Sequence, residues 1–391
     1  MKILSVNAGS SSLKFQLYEM PEEKVLISGL MERIGIDGSS YTIKLNGEKI
    51  TENVDLNNHA IAFETLVDLL KKHNVVNSLD EIKGIGHRVV QGGDYFDKTV
   101  VVDDEVLAKV EELSALAPLH NPAAATGIKA AKKVFPNAVQ TVVFDTAFHQ
   151  TMPKENYLYA LPYSWYEDLK VRRYGAHGTS HKYVSERMNE ILGRTDTKLI
   201  TCHIGNGASV SAVLNGKCLN TSMGLTPNAG LIMGTRCGDI DASIIPYVMD
   251  KTGMTPKEID NAINKESGLL ALSKKSSDSR DVEDGIKAGD ENCILAQKMY
   301  VRRIVDYIAK YTFEMNGCDA IVFTAGVGEN SVNTRKDIIE ALSVLGIKLD
   351  EEANNSRGKE VLISTANSSV KCYVIPTDEE LMIARDTFAL V

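Results

Sequence analysis

Apolar stretches and turns of small residues alternate along the chain in a pattern that occurs twice. Residues 2–18 run from a short apolar stretch through a small polar turn to a second apolar stretch, which predicts strand, turn, strand. Residues 199–214 repeat this order before Asn215-Gly216, a hairpin-turn signal. A P-loop would instead need a helix directly after the glycines and a Gly-Lys-Ser/Thr ending, which is absent here. The repetition indicates an internal duplication.

Later landmarks keep the same order in both halves of the chain. The apolar stretch at 85–90 corresponds to that at 320–324, and the stretch at 139–144 corresponds to that at 370–376. Helix-like stretches separate these strands, at 60–72, 123–134, 182–192 and 292–314. The order predicts an α/β fold of two duplicated domains with mixed sheets flanked by helices.

Length and the final residues set the predicted domain bounds. At 391 residues the chain exceeds the size at which one hydrophobic core keeps growing, so we expect two domains. A boundary is predicted near 148–153, and the helical pattern of 381–391 would return to the first domain. The predicted domains are therefore 1–148 with 381–391, and 149–380, with the active site in the cleft between them.

Composition narrows the class of protein. With 43 basic and 52 acidic residues the formal net charge is −9, which gives no overall attraction for nucleic acid, so an anionic substrate needs local positive charge. The six cysteines are scattered without a CxxC pair and suggest neither a zinc site nor a disulfide framework. Neither a signal peptide nor an apolar run of membrane-spanning length is present in the sequence. We expect a cytoplasmic protein without nucleic-acid or membrane partners.

Three turns of small residues follow apolar strands and are candidate phosphate-binding sites. They lie at 7–12, 203–207 and 326–330. Glycine in such a turn lets backbone amides approach phosphate oxygens closely, although a single turn of this kind is more often an ordinary tight turn. Three of them in repeated positions favour a nucleotide cleft between duplicated domains.

Two arginines are candidate anion ligands. Arg88 lies in an apolar strand pattern and Arg236 in a glycine-rich segment, where a charge is costly unless it meets an anion. Each is therefore a candidate for holding a carboxylate or phosphate through two parallel hydrogen bonds. Arg280 is the third cation of this group, although a surface arginine is usually only solvated.

Two histidines have the spacing of a metal-binding pair on one helix face. His177 and His181 are four residues apart, but Gly178 indicates a turn after the first of them. We therefore expect His181 in the helix that follows, with Thr179 or Ser180 as its cap. A hydrogen-bonded structural role for His181 is as well supported as a functional one.

Carboxylates at two strand ends complete the candidate site. Asp145 follows the strand at 139–144, and Glu379 follows the corresponding strand near the end of the chain. Together with Asn7 they offer the hard oxygen ligands that suit Mg²⁺ shared with ATP phosphates. The alternative reading, a helix cap, applies strongly to Asp378 and less to Asp145.

These residues lie in blocks that resemble acetate kinases over essentially the whole chain. The blocks are ordered as in that family and cover 7–14, 86–93, 117–122, 143–153, 172–184, 203–210, 233–241, 323–331 and 375–385. The resemblance implies a homodimeric enzyme with the duplicated, ribonuclease H-like domains of sugar kinases and actin-like ATPases. It would move the terminal phosphoryl group of ATP reversibly and in line onto acetate. The products would be acetyl phosphate and ADP, and the cofactor would be Mg²⁺, with Mn²⁺ as an alternative.

The resemblance also implies roles by position. Asn7 and Glu379 would bind Mg²⁺, and Asp145 would be the catalytic acidic residue. Because a carboxylate substrate is already ionised at pH 7, we expect Asp145 to orient the metal or an arginine rather than to act as a base. The other implied assignments are Lys14 near the phosphates, Arg88 on the substrate carboxylate, His177 and Arg236 at the transition state, His120 nearby, and nucleotide contacts from His203, Ile204, Gly205, Asn206, Gly207, Asp278, Ser279, Arg280, Gly326, Val327, Gly328, Glu329 and Asn330.

One departure from the family pattern bears on substrate choice. The family's usual Phe is Ala176 here, in the pocket for the substrate methyl group, whose other predicted walls are Val90, Leu119 and Pro227. A larger pocket would admit propionate, so a propionate or butyrate kinase of the same fold is the alternative. An actin-like or chaperone-like ATPase is the rival from another class, and it would not need these arginines and histidines.

Overall fold

A computed structural model describes residues 1–118 and 120–391, so Leu119, a predicted wall of the substrate pocket, lies outside the described residues. The chain divides into two units. Unit 1 comprises residues 1–150 and 378–391, and unit 2 comprises residues 151–377. Each unit has one mixed sheet, so the predicted α/β fold is confirmed.

The sheet of unit 1 has eight strands. They are β1 (Lys2–Ala8), β2 (Ser12–Glu19), β3 (Lys24–Glu32), β4 (Ser40–Leu45), β5 (Glu48–Asn53), β6 (Ile82–Val89), β7 (Val100–Val101) and β8 (Val139–Phe144). Their spatial order is β5-β4-β3-β2-β1-β6-β8-β7. The first hairpin is antiparallel, whereas β1, β6 and β8 run parallel, which brings the carboxyl ends of these three strands to one edge.

The sheet of unit 2 has six strands. They are β9 (Lys198–Ile204), β10 (Ala208–Leu214), β11 (Lys217–Thr221), β12 (Ala320–Thr324), β13 (Val361–Leu362) and β14 (Lys371–Val374), in the order β11-β10-β9-β12-β14-β13. Here β9 is antiparallel to β10 and parallel to β12, which is parallel to β14. The order β10-β9-β12-β14 thus repeats β2-β1-β6-β8 of unit 1 in sequence and direction, as the predicted duplication requires.

Helices flank both sheets. In the described residues they are α1 (His59–Lys72), α2 (Asp104–Glu112), α3 (Asn121–Val134), α4 (Lys154–Tyr157), α5 (Tyr163–Leu169), α6 (Gly178–Leu192), α7 (Ile244–Thr252), α8 (Pro256–Lys265), α9 (Gly268–Ser273), α10 (Ser279–Lys287), α11 (Glu291–Glu314), α12 (Ala325–Asn330), α13 (Val332–Ala341), α14 (Glu351–Asn354) and α15 (Glu379–Phe388). Short 3₁₀ turns occur at Leu79–Glu81, Leu113–Ala115, Ala147–Thr151 and Ser343–Leu345. None of the helices in the described part of the chain combines the length and apolar character that crossing a membrane requires.

Two helices illustrate how the sequence builds these layers. Asn58 caps α1 by accepting the Ile61 N–H, and the apolar face of α1 with Phe63 enters the core of unit 1. The last helix, α15, packs on β1 and β6. It approaches β6 so closely that a Cβ on Gly86 would lie 2.2 Å from Thr387 Oγ1, so only glycine fits there. This packing brings the start of α15 to the strand edge of unit 1.

Candidate active site

An ion pair between Arg88 and Asp145 lies at the carboxyl ends of β6 and β8 in unit 1. Arg88 Nε donates to Asp145 Oδ1 at 3.1 Å and Arg88 Nη2 donates to Oδ2 at 2.6 Å, a two-point arrangement. Burial alone would lower the pKa of Arg88, but the carboxylates of Asp145 and Glu379 outweigh burial and raise it above the ordinary arginine value. Asp145 is only 1% exposed. The geometry favours an orienting role for Asp145 over that of a base.

A cavity of about 300 Å³ in unit 1 gathers five of the predicted site residues. Asn7 and Lys14 face each other as register partners on β1 and β2, and Lys14 forms an ion pair with Glu380. The predicted residues that line the cavity are Asn7, Lys14, Arg88, Val90 and His120, and those that the sequence did not indicate include Leu30 and Ala124. Cationic and apolar groups therefore share one small cavity, which suits a short carboxylic acid.

Carboxylates crowd together where α15 begins. Burial raises the pKa of Glu379 to about 7, and repulsion from Asp145 and Glu380 adds to this, although Arg88 and Lys14 oppose it. A divalent cation would relieve this repulsion, because oxygen ligands of this kind are those that Mg²⁺ prefers. The chemistry of the donor groups thus fits the metal that the sequence predicts.

In unit 2, His177 and Arg236 both reach the glycine turn after β9. A Cβ placed on Gly207 would lie 3.5 Å from Arg236 Nη1 and 3.6 Å from His177 Nε2. Arg236 Nη1 donates to the Pro227 carbonyl at 3.2 Å, and within the described residues no carboxylate forms an ion pair with it. Burial lowers the pKa of Arg236. A guanidinium that is partly buried without a counter-ion is well suited to bind phosphate.

His177 precedes α6 in a left-handed backbone conformation, with φ of 59°. This conformation lets α6 begin directly at Gly178, so the predicted cap at Thr179 or Ser180 is wrong: the cap position is His177. The Ser180 hydroxyl instead hydrogen bonds to His203 Nδ1 at 2.8 Å. The ring of His203 stacks on that of His177, with centroids 4.0 Å apart and planes at 19°. The site histidine is therefore held from its face as well as from its backbone.

A cavity of about 670 Å³ in unit 2 brings together most of the predicted nucleotide residues. Those that line it are Gly205, Asn206, Asp278, Ser279, Arg280, Gly326, Val327 and Asn330. Of the described residues in the predicted set, His203, Ile204, Gly207, Gly328 and Glu329 do not line it. The cavity has the size and the glycine-rich wall that a nucleotide needs.

Glu329 and Gly328, two of the predicted residues outside this cavity, take part in the hydrogen bonds that hold the short helix α12 in place. Glu329 Oε1 accepts hydrogen bonds from the N–H groups of Ala325 at 2.8 Å and Thr377 at 3.1 Å. The buried guanidinium of Arg335 donates through Nη1 to the carbonyl oxygen of Gly328 at 3.0 Å. These contacts hold the segment that contributes Gly326, Val327 and Asn330 to the cavity wall.

The sequence matches a known family along almost its whole length. Residues 2–385 match the sequence profile of the Acetokinase family. This chain belongs to the acetokinase family. It is 55% identical to an acetate kinase of Macrococcus caseolyticus over 99% of this chain and 98% of that protein. It is 54% identical to an acetate kinase of Bacillus subtilis over 100% of this chain and 99% of the relative. The resemblance inferred from the motifs is confirmed.

Solved acetokinase structures share the fold. A crystal structure of acetate kinase from Porphyromonas gingivalis superposes with a TM-score of 0.95 and 48% identity, covering 100% of this chain and 99% of that one. A crystal structure of a propionate kinase from Francisella tularensis gives a TM-score of 0.94 and 43% identity, with full coverage of both chains. The predicted α/β fold class is therefore confirmed.

The predicted walls of the acyl pocket in this acetokinase lie in different surroundings. Val90 lines the cavity of unit 1. Ala176 is 4% exposed and belongs to the apolar core of unit 2. Pro227 is half-buried, and its carbonyl accepts the hydrogen bond from Arg236. The pocket roles of Ala176 and Pro227 stay predictions.

The cavity of unit 2 is also lined by residues that were not among the predicted nucleotide contacts. They are Gly234, Leu269, Ser277, Glu283, Tyr300, Ser331 and Arg357. Tyr300 lies in the middle of α11, is 1% exposed, and its hydroxyl has no hydrogen-bond partner among the described residues. The helical period of α11 places Tyr300 on the buried face, but it does not tell which cavity that face borders.

Proposed function

We propose that this protein is an acetate kinase, which transfers the terminal phosphoryl group of ATP reversibly to the carboxylate of acetate and forms acetyl phosphate and ADP. The observation that carries the proposal is full-length identity of 54–55% to relatives named acetate kinase. The chemistry of both units agrees with it, because Arg88 lines the cavity of unit 1 and Arg280 lines that of unit 2, each together with other predicted site residues.

Arg88 is the proposed ligand of the acetate carboxylate. Its partner Asp145 fixes the guanidinium by two hydrogen bonds, and the remaining N–H groups of Arg88 stay available to an anion in the cavity. Val90 and Ala124 give this cavity apolar walls for the methyl group.

Unit 2 is the proposed nucleotide-binding unit. Its cavity of about 670 Å³ is lined by Gly205, Gly234 and Gly326, whose lack of side chains lets the backbone approach phosphates. Asp278 and Arg280 lie on another wall of the same cavity, at the start of α10.

Charge neutralisation is the main catalytic task, because one anion has to attack another. The acetate carboxylate is ionised at pH 7 and needs no base. Arg236 and the Nε2 side of His177 adjoin the same glycine, so both can stabilise the negative charge of a phosphoryl group in transit. Arg88 would hold the attacking oxygen in line.

Mg²⁺ is the proposed metal, with Mn²⁺ as an alternative. Asn7 and Glu379 would hold it, since α15 packs on β1, the strand that contains Asn7. When bound, the ion would neutralise phosphate charge and orient the nucleotide.

A propionate or butyrate kinase is the second candidate. Ala176 favours it, because the family's usual phenyl ring is absent, and a structure named propionate kinase shares 43% identity with this chain. An apolar pocket distinguishes two acids that differ by one methylene by only about 1–3 kcal/mol, so one side chain can shift the preference between acetate and propionate.

We further propose a homodimer in the cytoplasm. Unit 2 exposes the large apolar side chains of Trp165 and Leu169 on α5 and of Ile244 and Tyr247 on α7, which a second copy would cover. Light scattering tests the dimer, and replacement of Tyr247 by lysine should weaken it if these helices form the interface.

Acyl phosphate trapping with hydroxylamine tests the proposed function. Purified protein with ATP and Mg²⁺ should form acyl hydroxamate with acetate, less with propionate or butyrate, and none without acid. A higher kcat/KM with propionate would support the second candidate. ATP hydrolysis that does not depend on any acid would instead indicate an actin-like ATPase.

A further inference from the structure

A chain of hydrogen-bonded side chains lies behind His177 in unit 2. Ser209 Oγ is 2.9 Å from His177 Nδ1 and 2.7 Å from His181 Nε2. The other nitrogen of His181, Nδ1, is 2.7 Å from Thr201 Oγ1. Ser209, His181 and Thr201 are completely buried, with 0% exposure each. The chain therefore links the site histidine to the interior of unit 2.

The proton count at Ser209 couples the two histidines. A serine hydroxyl has one proton, so Ser209 can donate to only one of the two imidazole nitrogens that it contacts. The other nitrogen must carry a proton and donate to Ser209 Oγ. In one arrangement His177 accepts at Nδ1 and is neutral with its proton on Nε2. In the other it donates from Nδ1, and its Nε2 is protonated only when the ring is cationic.

In either arrangement Nδ1 of His177 is engaged with Ser209. Its Nε2 lies on the side of Gly207, 3.6 Å from the position that a Cβ on this glycine would take. The stacked ring of His203 restricts the plane of the same imidazole. With one nitrogen anchored and one face covered, the His177 ring has a single orientation. A ring held in this way costs little reorganisation when charge develops next to it.

We propose that Ser209 is a positioning residue for phosphoryl transfer, which fixes the orientation of His177 and is itself anchored by His181 and Thr201. The proposal rests on the proposed function, since it assigns His177 to the transferred phosphoryl group. Ser209 was not among the predicted site residues, because the turn motif at 203–207 ends before it.

Ser209→Ala tests the proposal by steady-state kinetics. We expect kcat to fall about 10- to 100-fold, since misplacement of a catalytic group by an ångström has effects of this size, while KM for ATP and acetate stays within about threefold. Ser211→Ala is the matched control, because Ser211 lies on the same strand, is equally buried and bonds to Thr221 Oγ1 at 2.8 Å instead. It should leave kcat unchanged. A folded Ser209→Ala enzyme with normal kcat would overturn the proposal.

A double-mutant cycle separates positioning from a general structural effect. In a His177→Ala background there is no ring to position, so Ser209→Ala should lower kcat no further. Equal losses in both backgrounds would overturn the proposal. Should Ser209→Ala not fold, Ser209→Cys keeps a weak donor and acceptor of similar size, and the same cycle applies to it.

Nitrogen NMR of histidine-labelled protein provides a readout that needs no activity. Ser209→Ala should shift the His177 Nδ1 resonance, whereas Ser211→Ala should not, and an unchanged His177 signal would overturn the proposal. If the wild-type protein forms no acyl phosphate but the NMR shift occurs, the proposed function fails while the orientation of His177 by Ser209 stands.

Discussion

Units 1 and 2 share the order of four central strands but use their arginines in opposite ways. Arg88 of unit 1 is committed to Asp145 by two hydrogen bonds, whereas Arg236 of unit 2 donates to a carbonyl and has no carboxylate partner within the described residues. A paired guanidinium is fixed in direction, while an unpaired one keeps its charge for a ligand. The two units thus offer one arginine that is fixed by a carboxylate and one that has no carboxylate partner within the described residues.

Removal of the carboxylate that pairs with Arg88 in unit 1 should lower stability more than removal of the unpaired Arg236 in unit 2. Asp145→Ala removes the hydrogen-bonded counter-ion of Arg88, a partly buried guanidinium that keeps only Glu379 and Glu380 as neighbouring carboxylates, so we expect the free energy of unfolding to fall by about 3 kcal/mol. Urea denaturation measures this change. Arg236→Ala is the control in unit 2, and it should change stability by less than about 1 kcal/mol, because no carboxylate loses its partner. Equal losses would contradict the contrast between the units.

Arg236→Ala should change catalysis strongly although it should change stability little. Arg236→Ala removes a charge that only the ligand neutralises, and we expect kcat to fall about 10²- to 10³-fold, or roughly 3–4 kcal/mol, with little change in KM for acetate. Steady-state kinetics with saturating ATP measure both constants, and Arg236→Lys should recover part of kcat. A large rise in KM for acetate at normal kcat would assign Arg236 to ground-state binding instead.

The sequence was sufficient for the duplicated strands because their patterns are local and recur in the same order. It also predicted the residues around the cavity of unit 1, such as Asn7 and Arg88, since the carboxyl ends of neighbouring parallel strands meet at one edge. Tyr300 could not be predicted, because a buried helical residue shows its phase and not the cavity it borders. His203 illustrates a different limit. A turn motif indicated a nucleotide contact, but the register of β9 and α6 brings its ring against His177.

A buried histidine in unit 1 should make the stability of the protein depend on pH. His87 on β6 is buried against Gln140, with Nε2 2.7 Å from Oε1, and burial lowers its pKa from 6.5 to about 4, although this hydrogen bond opposes the shift. The unfolded chain therefore takes up a proton before the folded one, and stability present above pH 6.5 is lost as pH falls towards 4. The loss is at most roughly 3 kcal/mol.

Unfolding free energies between pH 7 and 4 test this prediction against His87→Gln. An amide keeps a donor for Gln140 and does not titrate, so the variant should lose less stability than the wild type over this range. Identical pH profiles would mean that His87 does not titrate differently in the two states. In unit 2, His181 lies in a different buried environment from that of His87. It hydrogen bonds to the hydroxyl groups of Thr201 and Ser209, which can donate or accept and so accommodate either ring tautomer.

The smallest expected effect concerns the acyl chain. If Ala176 borders the substrate methyl group, Ala176→Phe should lower kcat/KM for propionate relative to acetate by about 1–3 kcal/mol, or roughly 5- to 150-fold. Val90→Ala is the matched change in unit 1, and it should shift the ratio the other way by removing apolar bulk. Ala176 lies in the core of unit 2, so a thermal melt must first show that the variant folds. A folded Ala176→Phe enzyme with an unchanged ratio would remove Ala176 from the pocket and leave substrate choice to the cavity of unit 1.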